Sequence, residues 1–443
     1  MKIAEPPEVR SDSLTLLKKS LKNTWRLLTG DSELPNRPKL RHVKPNCMFI
    51  GTVQDSDRQV TLSQDSLRNH VLVVGESLSF RRHLIKQQMA LKGGLFNVGC
   101  PSIGPARRLI EAAVSAGRRP SDIKVINFFN VDEPTDTWNP FNGGGSALDI
   151  AGRIINAIFQ IEDEVSSNTS SPFISNVYTK YYYQLNSALV VLAAVIDFYA
   201  GSNLKCNARL ILNTLSNDAE LKNILDNSTD KKLLALISAF LREGGSGELD
   251  MAKVRFSMGC VIGGLHQLSS GQFQKVTDSI FPSVKFKDVI DNHLIAHAEV
   301  MGYGKGEMIS NLLISDFADA VSSRHESFSE DSNNYFKDPA FIAFMSGEIV
   351  SEKLIEQAKS ANVSLFNFVP SLQLTALIMK QNELIVLESS AYTKIFVGPQ
   401  DADTAERAEA LSNGRITADS FATLKDDEAV VLIEDKSVKI NIS

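Results

Sequence analysis

The sequence has no closely spaced cysteines, no long apolar run and no excess of positive charge, and each absence removes a class of function. Cys47, Cys100, Cys206 and Cys260 lie too far apart to form the short-spaced pairs that hold zinc or build a disulfide framework. They read as buried thiols in a reducing compartment. The longest apolar run, 188–196, is far short of the ~20 residues a helix needs to cross a bilayer. No secretory leader pattern is visible. A cytoplasmic protein is therefore expected, and any membrane contact would need a partner. Lysine and arginine together number 46 against 52 acidic residues, a net charge of −6. That balance supplies no bulk attraction to nucleic acid or anionic lipid, and direct DNA binding is not expected.

What is present is ordinary globular composition, 43% apolar and 22% charged over 443 residues, enough for two or three domains. Residues 1–45 are polar and dotted with Pro6, Pro7, Pro35, Pro38 and Pro45. An amphipathic stretch within them, 14–28, suits a docking helix. Short strands and turns at 46–60 and 64–74 lead into the core. Strand patterns at 70–74, 95–99 and 124–129 then alternate with helical patterns at 80–91 and 104–117. That alternation predicts βαβ units and a mostly parallel sheet in an α/β fold. A helix at 146–161 and a polar loop at 162–172 follow. From 173 the pattern is mainly helical, its least interrupted stretch running from 178 to 200. Strand patterns resume at 294–298, 341–345, 363–368, 395–397, 429–433 and 438–442, with helices at 349–360, 372–381 and 403–411. The expected organisation is an N-terminal arm (1–45), a core in two parts (46–172 and 291–443) and a helical insertion between them (173–290).

The segment Val71-L-V-V-G-E-S-L-S-F-R-Arg82 carries the main question. A phosphate-binding loop at this spacing would read G-x-x-x-x-G-K-[ST]. Gly75 keeps the first position, whereas Phe80, Arg81 and Arg82 stand at the glycine, lysine and hydroxyl positions. Leu78 and Phe80 put side chains where such a loop needs close backbone approach. Glu76 adds negative charge where phosphate would sit. Arg82 cannot ligate magnesium, and the planar fork of Arg81 does not mimic a compact lysine. The second half of such a site is a strand ending in Asp-Glu. In Ala343-F-M-S-G-Glu348, Gly347 takes the aspartate position and Glu348 the other. Read without that frame, Gly75 is a plain turn and Glu348 an acid at a helix start.

Laid end to end, these segments resemble the TraD/TraG-type coupling ATPases of conjugation and type IV secretion. Met48-F-I-G-T-V, Gln59-V-T-L-S and Arg68-N-H-V-L-V-V-G resemble the family's approach to the phosphate-loop strand. Gly117-R-R-P-S-D-I-K-V-I-N-F followed by Thr137-W-N-P-Phe141 resembles its next strand and the turn beyond. Glu356-Q-A-K-S-A-N-V-S-L and Tyr392-T-K-I-F-V-G with Thr404-A-E resemble later elements. The resemblance spans roughly residues 46–440 and rests on order and spacing rather than on any single motif. It implies a RecA-like P-loop NTPase core with an inserted all-α domain. In that family, hexamers hydrolyse ATP at the inner membrane and hand substrates to a secretion channel. The family's phosphate-sensing glutamine maps to Pro370 within Asn367-F-V-P-S, so the position has no amide.

Loss of the lysine, the magnesium ligand and the sensor together leads to an expected pseudo-ATPase with no cofactor. It would be a structural or adaptor subunit of a type IV secretion or conjugation machine. Its partners would be other machine proteins, an active coupling-ATPase homologue among them, in homo- or hetero-oligomers. Arg107-Arg108 and Arg118-Arg119 read as solvated helix ends or partner contacts. Tyr178, Tyr181, Tyr182 and Tyr183 read as core aromatics ahead of interface ones. The rival reading is an enzyme with an unconventional site, a divergent NTPase or another hydrolase. Its candidates are His70, His83, Glu348 and Asp403, with His266, His293 and His297 as structural histidines.

Overall fold

The structure is a computed structural model that describes residues 47–443 apart from 76–77, 99–105, 129–134, 160–171, 203, 246, 300–304, 329–338, 347–349, 379–380, 435 and 443. Residues 46–443 form one compact unit. Among the described residues eleven strands build one sheet: β1 (Met48–Val53), β2 (Gln59–Leu62), β3 (His70–Val74), β4 (Leu95–Val98), β5 (Ile123–Asn127), β6 (Ile295–Glu299), β7 (Phe341–Ser346), β8 (Val363–Val369), β9 (Ala391–Val397), β10 (Glu428–Ile433) and β11 (Lys436–Asn441). Their spatial order is β2-β1-β11-β10-β9-β3-β8-β7-β4-β6-β5. The seven strands from β9 to β5 pair in parallel, and β10, β11, β1 and β2 extend the sheet antiparallel.

The central strands are mainly apolar because both of their faces are covered. Val71, Val73, Ile342, Phe344, Phe366 and Ile395 share one face with Phe80, Leu84, Ile85 and Met89 of the helix Leu78–Ala90. Leu72, Val74, Ala343, Met345 and Leu365 point the other way, into the larger core. The helices Ala147–Phe159, Pro172–Gly201, Lys305–Phe328 and Glu352–Ser360 contribute to that core. Side-chain caps start many helices as sequence rules lead one to expect. Asn207, Asp230, Asp250, Ser351 and Asp401 each accept a main-chain N–H from the first turn.

Between β5 and β6 the described residues hold helices and no strand. The helix Pro172–Gly201 is the longest of these, and its window Tyr182–Gly201 is apolar and long enough to cross a membrane by length and composition. Half of that window is buried within the structure, and Ala188 to Ile196 pack into the larger core.

Several expectations need correction. Gln64–Leu67 forms a short helix, capped by Ser63, in a stretch read as strand and turn. The pattern at 372–381 resolves into two helices, Leu372–Ile378 and Gln381–Ser390. Lys305–Phe328 is a long helix with no counterpart in the sequence reading. The thiols are not uniformly buried: Cys206 is, Cys47 is half-buried and Cys260 is exposed, while Cys100 lies outside the described residues. Tyr182 and Tyr183 are exposed rather than packed in the core, and the side chains of Tyr178 and Tyr181 lie outside the described residues.

Candidate functional site

The chain leaving β3 crosses one face of the sheet toward β4, while the chains leaving β8 and β9 return over the other face. The carboxyl end of β3 therefore lies at a topological switch point, where α/β folds place ligands. Gly75 stands there with φ of +111°, a conformation that L side chains avoid. Its N–H donates to the Val369 carbonyl at 2.9 Å. A Cβ at this position would come within 2.1 Å of the Val397 carbonyl oxygen. Glycine is thus required by the positive φ and the close approach of β9, whatever the site binds.

The helix after Gly75 already begins at Leu78. Phe80 is fully buried in the core between sheet and helix and stacks on His83, with ring centroids 6.5 Å apart. Arg81 is buried too, and its guanidinium turns inward beneath the strand ends. One terminal nitrogen, Nη2, donates to Asn97 Oδ1 at 2.9 Å, the Val98 carbonyl at 2.7 Å and the Phe344 carbonyl at 3.0 Å. Its Cζ sits 4.8 Å from the centroid of the Phe368 ring. Arg82 is half-buried.

Arg81 heads a buried polar chain that sequence reasoning did not assemble. Asn97 donates through Nδ2 to His297 Nδ1 at 2.8 Å. That contact leaves the imidazole proton on Nε2, 3.6 Å from Glu299 Oε1. The registers Asn97↔His297 and Asn127↔Glu299 place these groups side by side on neighbouring strands. The available signal was the polar residue inside each apolar run, Leu95-F-N-V and Ile295-A-H-A-E.

The partner strand of the expected site, β7, ends at Ser346, and Gly347 and Glu348 lie outside the described residues, as does Glu76. Pro370 is half-buried directly after β8. An amide does stand on this strand, three residues earlier. Asn367 is fully buried between Leu72 of β3 and Met345 of β7, and neither atom of its amide has a hydrogen-bond partner.

The other candidates do not converge. His70 lies at the opposite end of β3 from Gly75, clamped between the Ile355 carbonyl (2.8 Å) and the Leu365 N–H (3.1 Å). His83 bonds the Phe49 carbonyl at 2.9 Å. Burial pushes the imidazole pKa of both down. Asp403 is exposed and accepts from Gln373. His266 sits near the end of the helix Met251–Leu268. His293 takes a left-handed turn before β6, and His297 lies on that strand. Among the described residues no group of three His, Cys, Asp or Glu is placed to hold a metal. Arg107 and Arg108 are exposed. Arg119 is exposed as well and pairs with Asp122, but Arg118 is half-buried and donates to the His293 carbonyl, so that pair is not wholly a solvated end.

The turn Thr137-W-N-P-Phe141 proves to be a structural tie. Trp138 is buried, and its indole N–H donates to Asp316 Oδ2 at 2.8 Å. Asn139 donates to the carbonyls of Cys206 (2.8 Å) and Ser279 (3.0 Å) while its Oδ1 accepts from Phe141 N–H. Arg153 approaches Asp316, pairs with Asp319 and donates to the Gly144 carbonyl. Burial raises the Asp316 carboxyl to about 6, with the indole bond and Arg153 opposing the rise.

With this geometry in view, the strand order and the switch point define a doubly wound, mostly parallel α/β fold. Comparison with solved structures places it beside the bacterial conjugative coupling protein TrwB. The unbound form of TrwBΔN70 matches with a TM-score of 0.56 and 14% identity, over 91% of this chain and 89% of that one. TrwB in complex with the non-hydrolysable GTP analogue GDPNP matches at 0.56 and 12%, over 91% and 90%. TrwB with ADP and Mg²⁺ matches at 0.55 and 14%, over 91% and 89%. No protein-family model matches the sequence, and no curated protein matches it. The resemblance read from the sequence therefore holds at the level of the fold.

Proposed function

We propose that this chain is a catalytically inactive, coupling-ATPase-like component of a type IV secretion or conjugation system, acting as an adaptor subunit through protein–protein contacts. The observation that carries the reading is Arg81. It stands at the position of the phosphate-binding lysine, yet its guanidinium is spent on main-chain carbonyls and an amide oxygen inside the fold. Phe80, at the position of the second glycine, is a core residue rather than part of an open loop. Gly347 and Glu348 at the second half of the site, and Pro370 at the sensor position, add the same reading from the sequence. Phosphoryl transfer relies on preorganised cations at the phosphates, so a site without them supplies little transition-state stabilisation.

Under this reading, 173–290 form the helical insertion and 46–172 with 291–443 the core. The partners are other proteins of the machine, an active homologue among them. The chain is cytoplasmic and reaches the inner-membrane face through those partners. The net charge of −6 weighs against direct DNA binding.

One observation favours a second reading, a divergent NTPase that energises transfer: the similarly folded TrwB is recorded with GDPNP and with ADP and Mg²⁺. Titration of the protein with labelled ATP and magnesium separates the two. The adaptor reading expects no saturable binding in the micromolar range. Micromolar binding that Arg81→Ala abolishes would establish the NTPase instead. Co-purification from the native host then identifies the partner.

A further inference from the structure

We propose that the carboxyl ends of β4, β7 and β8 form a socket for an organic cation, and that the chain fills this socket itself with the Arg81 guanidinium. The inference deepens the inactive reading of the site and rests on it. Among the described residues the lining includes Asn97 Oδ1, the carbonyls of Val98 and Phe344, and the Phe368 ring. Such a lining suits a planar, weakly hydrated cation with several N–H groups. It turns lone pairs toward any phosphate and so opposes the ligand that a phosphate loop would take.

The socket is built rather than accidental. The guanidinium only donates, so the Asn97 amide presents Oδ1 to Arg81 and turns Nδ2 toward His297 Nδ1. The remaining imidazole proton, on Nε2, faces Glu299 Oε1 at 3.6 Å, which brings a carboxylate in behind the cation. Both Asn97 and His297 are fully buried, so neither is oriented by bulk water.

The consequence is conformational. Arg81 ties the helix Leu78–Ala90 to β4 and to β7, whose contact residue Phe344 lies 263 positions away in the chain. Nucleotide-binding folds often order such strand ends by binding a ligand across them. Here the tie is covalently part of the chain, and the strand ends are held without one. Lysine is a poorer fit: an ammonium carries no plane to lay on the Phe368 ring.

Thermal unfolding of the full chain tests this. Arg81→Ala is expected to melt well below the wild type. Millimolar methylguanidinium is expected to recover part of that loss in Arg81→Ala, and methylammonium at equal ionic strength is not. Neither salt should rescue Leu84→Ala, a packing control on the same helix. Arg81→Lys should also melt below the wild type, and it carries the test if Arg81→Ala does not fold. The socket is overturned if Arg81→Lys melts like the wild type, if both cations rescue equally, or if folded Arg81→Ala gains nothing from methylguanidinium. ATP binding by the wild type would sink the inactive reading instead, and the two failures are read in separate experiments.

Discussion

Trp138 gives its indole N–H to the Asp316 carboxylate across 2.8 Å, joining the turn after β5 to a helix 178 residues further along the chain. The acid is buried, and its pKa is lifted from 3.8 to about 6 by that burial. The native state therefore holds a proton on Asp316 over a range where the unfolded chain has released it. Stability linked to this group is present below pH 4, falls as pH rises through 4 to 6, and stays lower above. The full difference is about 3 kcal/mol. Asp316→Asn keeps an acceptor for the indole and removes the ionisation. The variant should be more stable than the wild type by about 1–3 kcal/mol at pH 7.5 and close to it near pH 3. Denaturant unfolding at the two pH values measures the difference; equal gains at both would mean that ionisation is not the cause.

His70 has the opposite sign. Its Nδ1 accepts from Leu365 N–H and its Nε2 donates to the Ile355 carbonyl, which describes a neutral ring. Protonation would set N–H against N–H inside the fold, and burial already lowers the pKa below 6.5. The unfolded chain gains a proton as pH falls through 6.5 while the native state resists it, so this contribution to stability is lost on acidification. In wild-type protein the Asp316 term masks part of that loss between pH 4 and 6. In Asp316→Asn the loss should appear as a steeper decline below pH 6.5. NMR titration of the His70 ring should show a pKa below the ordinary histidine value, and an ordinary or raised value would refute the assignment.

The parts of this fold that were legible in the sequence are those that obey a local rule. The strands at 70–74, 341–345 and 363–368 showed as mainly apolar runs because both faces of β3, β7 and β8 are covered. The helix Lys305–Phe328 was invisible for the converse reason. It buries Ser310, Asp316 and Arg324 among its apolar positions, and polar residues on the inner face dilute the helical stripe. At the site, the residue types at 80–82 could be read, but the direction of Arg81 could not. That direction is decided by Asn97 and Phe344, which no sequence window around residue 81 contains. The amide on β8 was missed because attention fell on Pro370, whereas the amide stands at Asn367.

Restoring the phosphate-loop letters should harm the protein before it helps the chemistry. Phe80→Gly empties a fully buried aromatic site and puts glycine inside a helix. The combined cost is about 4 kcal/mol or more. The triple change Phe80→Gly, Arg81→Lys and Arg82→Thr is therefore expected to lower the melting temperature sharply and to yield no ATPase turnover. Measurable hydrolysis by a folded triple variant would show that the rest of the catalytic apparatus survives.

Asn367 gives the last test, because its amide is fully buried and both of its polar atoms lack a hydrogen-bond partner. An unsatisfied buried polar group costs about 1–3 kcal/mol, whereas an apolar side chain of the same shape costs nothing of the kind. Leucine is nearly isosteric with asparagine, and the flanking Leu72 and Met345 are apolar. Asn367→Leu should therefore raise unfolding stability by about 1 kcal/mol or more if the amide serves only as a strand residue. If the amide instead engages an ordered water or a ligand at the switch point, the same substitution will destabilise the chain. Denaturant unfolding with unchanged m-value decides between them. A destabilised Asn367→Leu would show that the buried amide on β8 has a partner in solution.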